Sequence, residues 1–358
     1  MDYQGRQTRL LKNLGDTKLD SLLVTHLPNV CYLCGFTGSA GVLLLTPDGN
    51  RFFTDGRYRD QARTEVQGAQ VIVAKGSALL AAAKALSGMR RGTIGVEAGH
   101  LTLASHNLLK EAVPPRIRLR PVNALVEEQR MVKEPAEIER IRAAVLLAAS
   151  LFEPTLALVR PGVRESAIAA KLEYAARRGG AERMAFETIV AAGPRSALPH
   201  WRASAQPVPR AGFVVLDFGV ILAGYCSDMT RTVHVGRPTG RARQMYRAVQ
   251  QAQQAAIAAV RPGIAASQVD RAARSVLRRA GLARYFTHST GHGVGLEIHE
   301  PPRLGRGQRD ILRPGMVVTV EPGIYIAGEG GVRIEDLVVV TETGCEVLTP
   351  TSKELIAL

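Results

Sequence analysis

Cysteine is scarce in this chain: four in 358 residues, at positions 31, 34, 226 and 345. So few thiols exclude a disulfide framework and fit a reducing compartment. Cys31 and Cys34 form a CxxC, but with Tyr32 and Leu33 between them in an apolar stretch and no second pair elsewhere, they read as two packed thiols rather than a zinc or redox motif. Long apolar runs are missing too; no stretch approaches the roughly 18 residues of a membrane span. The opening residues, MDYQGRQTRLLKNLGDTK, hold no apolar core of signal-peptide length. No membrane partner is therefore expected, and the expected location is cytoplasmic. Lysine is sparse, supplying only eight of the 46 basic residues.

What is present is an ordinary globular composition, 46% apolar and 22% charged, which excludes a disordered or collagenous chain. The length suggests about two domains at roughly 150 residues each. Basic residues outnumber the 32 acidic ones to give a net charge of +14. The arginines are spread over both halves, and no RNP, zinc-finger or helix-turn-helix pattern appears, so a nucleic-acid partner is not expected.

Residues 1–125 alternate short β-branched runs with helical stretches and predict an α/β domain. Strands are expected at 21–25, 42–46, 51–54, 71–74 and 93–97, and helices at 59–66, 78–86 and 102–111. Pro47-Asp48-Gly49-Asn50 is a hairpin turn, since Pro presets φ and Gly or Asn tolerates positive φ. A charged connector, VEEQRMVKEP, precedes a long amphipathic segment at 136–159, and the second domain is placed at 126–358.

That second domain contains a repeat. Val159-Arg160-Pro161-Gly162 recurs as Val260-Arg261-Pro262-Gly263, 101 residues later, and Ser166, Ile168, Arg177-Arg178 and Gly180 match Ser267, Val269, Arg278-Arg279 and Gly281. A duplicated α/β half is expected, with a cleft where the halves meet.

Strand interiors avoid carboxylates, because a buried unpaired charge costs several kcal/mol. Here Asp217 ends the run Phe213–Leu216, Asp228 follows Gly224–Ser227, Glu321 follows Val317–Val320, and Glu335 precedes Leu337–Val340. Four such acids would repel one another without a cation, and hard oxygen ligands in that number suit Mn²⁺, Co²⁺ or a similar divalent ion, two of them. Histidines fall beside them: His288, His292 and His299 in THSTGHGVGLEIHE, and His200 next to the only tryptophan, Trp201. Glycines 291, 293 and 295 exclude an ordinary helix there and leave room for a ligand to approach the backbone.

The contexts LDFG, SDMTR, TGHGVG, TVEPGIY and RIED, in that order, resemble the pita-bread metallopeptidase family, and the resemblance extends back to MVKEPAEIERIR. The first domain is similar to the creatinase-type N-terminal domain of its Xaa-Pro branch, through NVCYLCGFTGSAGVLLL and FFTDGRY. The resemblance implies that Asp217 chelates one metal ion, that Asp228 and Glu335 bridge two, and that His292 and Glu321 complete the second. Manganese is the first choice of ion, with cobalt or zinc as alternatives. Two such ions would activate a shared water, and Glu321 would carry its proton to the leaving nitrogen. His288 and His299 would donate to substrate and oxyanion, with His200 closing over them. Arg333 would orient the metal carboxylates, and Arg303 or Arg309 would hold a substrate carboxylate.

The function expected from this resemblance is a dinuclear exopeptidase that cleaves the Xaa-Pro bond at the N-terminus of small peptides, working as a homodimer. The alternatives are a prolidase restricted to Xaa-Pro dipeptides and a non-catalytic binding protein on the same fold. A metal-free creatinase-like amidinohydrolase would lack several of the five acids and histidines that are present.

Overall fold

The short apolar runs of the first 130 residues form one six-stranded sheet. The computed structural model describes residues 1–358 apart from the side chain of Asp16, and its contacts divide it into two units, Met1–Arg130 and Met131–Leu358. In the first unit the strands lie in the order Gln70–Ala74, Arg51–Asp55, Val42–Leu45, Ser21–Val24, Gly92–Glu97, Ile117–Val122. The antiparallel pair Val42–Leu45 and Arg51–Asp55 turns at the expected Pro47–Asn50, where Gly49 has φ +126° and Thr46 Oγ1 donates to Gly49 O at 2.7 Å. Helices Ala78–Ser87 and Leu103–Ala112 begin where Ser77 and Thr102 accept the backbone N–H three residues on.

Besides helix Leu125–Arg130, three elements were not expected. Helix Leu27–Cys34 carries Pro28 in its first turn, where a missing N–H costs nothing, and stops at Gly35 with φ +85°. Helix Tyr3–Asp16 is mostly polar, and beside Leu10 and Leu14 it buries Arg6 and Gln7, which donate to the carbonyls of Tyr32 and Leu33 at 2.8 Å. Strand Ile117–Val122, with two arginines and Pro121, occupies the sheet edge, the one place such a sequence fits. The CxxC forms no disulfide; Cys34 is buried, which pushes its thiol up to about 12, and Cys31 is half-buried.

The boundary expected at 125/126 falls five residues early. Residues Leu125–Arg130 form a helix of the first unit, because the buried Arg130 guanidinium donates to Asn29 Oδ1 at 2.7 Å. Val132 then pairs with Met316 inside the second unit, and helix Pro135–Leu156 follows, its Glu137 carboxylate accepting from the Glu134 N–H at 2.9 Å.

The repeat is visible at the level of single hydrogen bonds. Helices Glu165–Arg178 and Ala266–Arg279 start 101 residues apart, each after a glycine of positive φ, Gly162 at +86° and Gly263 at +83°. Glu165 N donates to Gln206 O as Ala266 N does to Asp310 O, and Val208 N donates to Val163 O as Leu312 N does to Ile264 O. Each half holds an antiparallel three-stranded set: Ile189–Ala192, Gly212–Phe218 and Met229–Val235 in the first, Gly291–Gly293, Val317–Val320 and Asp336–Val340 in the second. Each set shares an apolar core with its own helix, Ile168 and Leu172 with Leu216 and Phe218, Val269 and Leu277 with Val318 and Val338.

The tightest backbone approach in the first half is at Gly219, where a Cβ would lie 1.9 Å from Ser227 O. Gly219→Ala is expected to force the two chains apart at a cost of about 1–3 kcal/mol and lower the Tm by several degrees. An unchanged melting curve by scanning fluorimetry would show that this approach is not tight.

Candidate active site and metal centre

Each antiparallel pair delivers two carboxylates to its end. Asp217 lies in strand Gly212–Phe218 and Asp228 directly before Met229–Val235, while Glu321 directly follows Val317–Val320 and Glu335 directly precedes Asp336–Val340. Asp217, Asp228 and Glu335 are at most 8% exposed, so their charges are out of water. They line a cavity of about 890 Å³ that also takes His200, His288, His292, His299, Glu321, Arg303 and Arg333 from the predicted set, drawn from both repeated halves. Arg309 is exposed and is not in that wall, although its neighbours Gln308 and Asp310 are.

Within the cavity Asp228, His292 and Glu335 present ligand atoms that all lie within 4.8 Å of one another. His292 Nδ1 lies 3.0 Å from Gly293 O; a carbonyl only accepts, so Nδ1 carries the proton. Its Nε2 lone pair then faces Asp228 Oδ2 at 3.7 Å and Glu321 Oε1 at 3.4 Å. Asp217 Oδ1 and Asp228 Oδ1 are buried with no hydrogen-bond donor among the described residues. Orphaned carboxylate oxygens around a basic imidazole nitrogen are a donor set that fits a divalent cation.

The electrostatics point the same way. Burial, followed by the neighbouring carboxylates, pushes Asp228 and Glu335 well above the usual carboxylate range, and burial pushes Glu321 to about 7. One fixed cation already stands in the site: the Arg333 guanidinium bonds Asp217 Oδ2, Thr230 Oγ1 at 3.1 Å, Tyr325 Oη at 2.7 Å and the Pro199 carbonyl at 3.2 Å. Thr230 Oγ1 in turn donates to Glu335 Oε2 at 2.6 Å.

The three remaining histidines differ. His288 Nδ1 meets Ser289 O at 2.8 Å and Nε2 meets Tyr325 Oη at 2.9 Å, so both ring nitrogens are engaged. Burial, then Arg333, lowers its pKa to about 3. Its loop is held by the buried pair Asp270–Arg274, through Arg274 Nη1 to Phe286 O at 2.9 Å, Arg274 Nη2 to His288 O, and Thr290 Oγ1 to Asp270 Oδ1 at 2.9 Å. His299 lies edge-on to His292, ring centres 4.4 Å apart, and its pKa is lowered by burial and then by His292. The His200 ring has no hydrogen bond among the described residues and stands exposed on its loop.

The glycines around His292 have a different purpose from the expected one. A Cβ on Gly291 would meet Thr319 O at 1.9 Å, one on Gly293 would meet Pro301 O at 2.3 Å, and one on Gly295 would meet the Glu300 carboxylate at 2.6 Å. What comes close is another segment of this same chain. Sequence reasoning also passed over Tyr325, Thr230 and the Glu187–Arg202 ion pair at the cavity wall, 2.6 Å apart. Nothing in the spacing marks them, because each matters through a partner far away in sequence.

Residues 139–342 match the model of metallopeptidase family M24, and residues 6–132 match the creatinase/prolidase N-terminal domain. The chain belongs to metallopeptidase family M24. A Bacillus subtilis protein described as an uncharacterized peptidase is 41% identical over 97% of this chain and 99% of its own length. An Xaa-Pro dipeptidase of Pyrococcus horikoshii is 36% identical over 99% of this chain and 100% of that protein. Among solved structures, an Xaa-Pro dipeptidase from Bacillus anthracis superposes with a TM-score of 0.96 at 40% identity, covering 99% of this chain and 100% of that one. An X-Pro aminopeptidase from Thermotoga maritima reaches 0.90 at 35% identity, covering 99% and 100%. The expected α/β architecture, a creatinase-like domain followed by an M24 catalytic domain, is thereby established. Among the described residues no helix is long and apolar enough to cross a membrane.

Raised carboxylates make the metal-free chain sensitive to alkali. A carboxyl whose folded pKa is raised adds stability below its unfolded value and loses it as pH climbs through the folded one. The lowered histidines act oppositely, but only below about 6.5, where unfolded imidazole takes up a proton. Between pH 6.5 and 7.5, below the range where the unfolded partners of the raised Cys34 and Cys226 thiols ionise, the carboxyls therefore dominate the slope. The chelated protein should lose Tm steadily across that window, and saturating Mn²⁺ should abolish the slope, because bound cations replace the protons. A chelated protein with a flat profile would contradict the reading of the carboxylate cluster.

Proposed function

We propose that this chain is a metal-dependent Xaa-Pro dipeptidase that holds two divalent ions. The observation that carries the proposal is the joining of four carboxylates and His292 in one cavity whose wall also holds an exposed arginine, Arg303. Asp217 would chelate one ion, Asp228 and Glu335 would bridge both, and His292 with Glu321 would complete the second. Manganese is the first ion to test, then cobalt and zinc. Divalent ions bound there would bring the pKa of water toward neutrality and polarise a carbonyl.

The chain's own residues do the remaining work. Glu321, at the cavity wall, can accept the proton of the attacking water and return it to the proline nitrogen as the C–N bond breaks. That nitrogen is a tertiary amide with no N–H of its own, so the proton must be supplied to it. His299 and His200, at the same wall, suit donation to the substrate carbonyl and to the oxygen that gains charge. His288, with both nitrogens engaged, acts through Tyr325, orienting its hydroxyl beside Arg333. Arg303, exposed at the wall with Nε 3.2 Å from Ser289 Oγ, suits the carboxylate of a two-residue substrate. The near full-length relatives named Xaa-Pro dipeptidase favour this reading over the broader aminopeptidase expectation. The Thermotoga maritima relative keeps longer peptides as the second reading.

Asp228→Asn is expected to leave less than a tenth of wild-type turnover at saturating Mn²⁺ and to lower metal content by plasma mass spectrometry, since an amide cannot neutralise two cations. More turnover than that would argue against a bridging role.

Arg303→Glu should cut kcat/KM for Xaa-Pro by at least tenfold while sparing Xaa-Pro-Yaa-Zaa, whose carboxylate lies elsewhere. Equal damage to both substrates, or wild-type preference for the tetrapeptide, would displace the dipeptidase reading in favour of the aminopeptidase one.

A further inference from the structure

Glu165 is where the two repeated halves stop matching. It opens helix Glu165–Arg178, and the residue 101 places on, opening the equivalent helix, is Ala266. Both make the same backbone bond to the loop beside them, so the fold is satisfied with an alanine there. Yet Glu165 is completely buried, and its carboxylate accepts five hydrogen bonds: on Oε1 from Ala192 N at 2.9 Å and Arg195 Nε at 2.7 Å, on Oε2 from Trp201 Nε1 at 3.0 Å, Ser204 N at 3.2 Å and Ser204 Oγ at 2.6 Å. A buried carboxylate is tolerated only with such a full set of donors. Four of the five come from the segment 193–207.

That segment carries His200, whose ring makes no hydrogen bond of its own among the described residues. The place of the imidazole is therefore set by its backbone, which is fixed on two sides. Trp201 packs its ring on Ile189, Ala191 and Val215 while its indole N–H reaches Glu165, and the Pro199 carbonyl accepts from Arg333, the arginine that bonds Asp217. We infer that Glu165 is a positioning residue, holding the 193–207 loop so that His200 faces the cavity at the distance the reaction needs. The inference rests on the Xaa-Pro reading for its kinetic arm only. Misplacing a reacting group by about 1 Å can cost on the order of a hundredfold in rate, so one fixed carboxylate is enough to matter.

The test uses the full-length, Mn²⁺-loaded protein with Glu165→Gln, which keeps the shape but turns an amide NH₂ toward donors. Trp201 is the only tryptophan in the chain, so its emission reports the loop directly and without turnover. The expected results are a red-shifted Trp201 emission, unchanged metal content, and a kcat lower by about 10- to 100-fold with KM changed much less. Combining Glu165→Gln with His200→Ala should be no slower than His200→Ala alone, because the first change acts through the second residue. Unaltered emission, a kcat within twofold of wild type, multiplied losses in the double variant, or lost metal would each overturn the inference. Should Glu165→Gln not fold, Ser204→Ala and Trp201→Phe cut the same bonds from the loop side and must show the same kcat loss and the same non-additivity with His200→Ala. A wild-type protein inactive on Xaa-Pro would refute the functional reading and leave the emission arm to decide the role of Glu165.

Discussion

Four carboxylates withdrawn from water at the ends of two strand pairs repel one another, and the second unit is organised around that repulsion. Asp228 and Glu335 are raised by burial and by their neighbours, and the permanent cation bonded within the cluster is Arg333. Arg333 is itself tied to Thr230, Tyr325 and the Pro199 carbonyl, so charge balance and the position of the His200 loop are coupled through a single side chain. The cost of burying like charges is what gives the centre its affinity for a cation: a group destabilised without its partner gains most from receiving it.

The repeated halves solve one problem by different chemistry. Each must hold a histidine-bearing loop beside its helix, and each uses an ion pair whose carboxylate is buried. The first uses Glu165 with Arg195, from the first turn of the helix; the second uses Asp270 with Arg274, one turn apart further along. A duplicated backbone leaves such side chains free to diverge, provided that the glycine of positive φ and the paired bonds before each helix are kept.

The sequence made legible whatever obeys a local rule. Strands and helices with plain apolar periodicity, the Pro47–Asn50 turn, the VRPG repeat and the acids ending apolar runs were all readable. Helix Leu27–Cys34 was hidden because an apolar run of eight residues fits strand and helix alike, and a proline suits a helix only in its first turn, which the sequence alone does not locate. The glycines beside His292 could be read as special, but their purpose, clearance for Thr319 and Pro301, depends on strands that lie elsewhere in sequence. Tyr325 and Glu165 were invisible for the same reason: their partners come from up to 39 residues away, and composition carries no trace of such pairings.

The helix Leu125–Arg130 has a bearing on how the chain could be divided. Arg130 is anchored on Asn29, whose amide also reaches Glu97 and Glu127, whereas two residues later Val132 already pairs with Met316. Severing the polypeptide after Arg130 would keep Asn29, Glu97, Glu127 and Arg130 together and leave Val132 with Met316. Severing it after Ala124 would strip Asn29 and Glu97 of the arginine and Glu127 that complete their cluster, and would part helix Leu125–Arg130 from the helices Tyr3–Asp16 and Leu27–Cys34 it lies against. The natural seam in this chain is one peptide bond wide, between Arg130 and Met131.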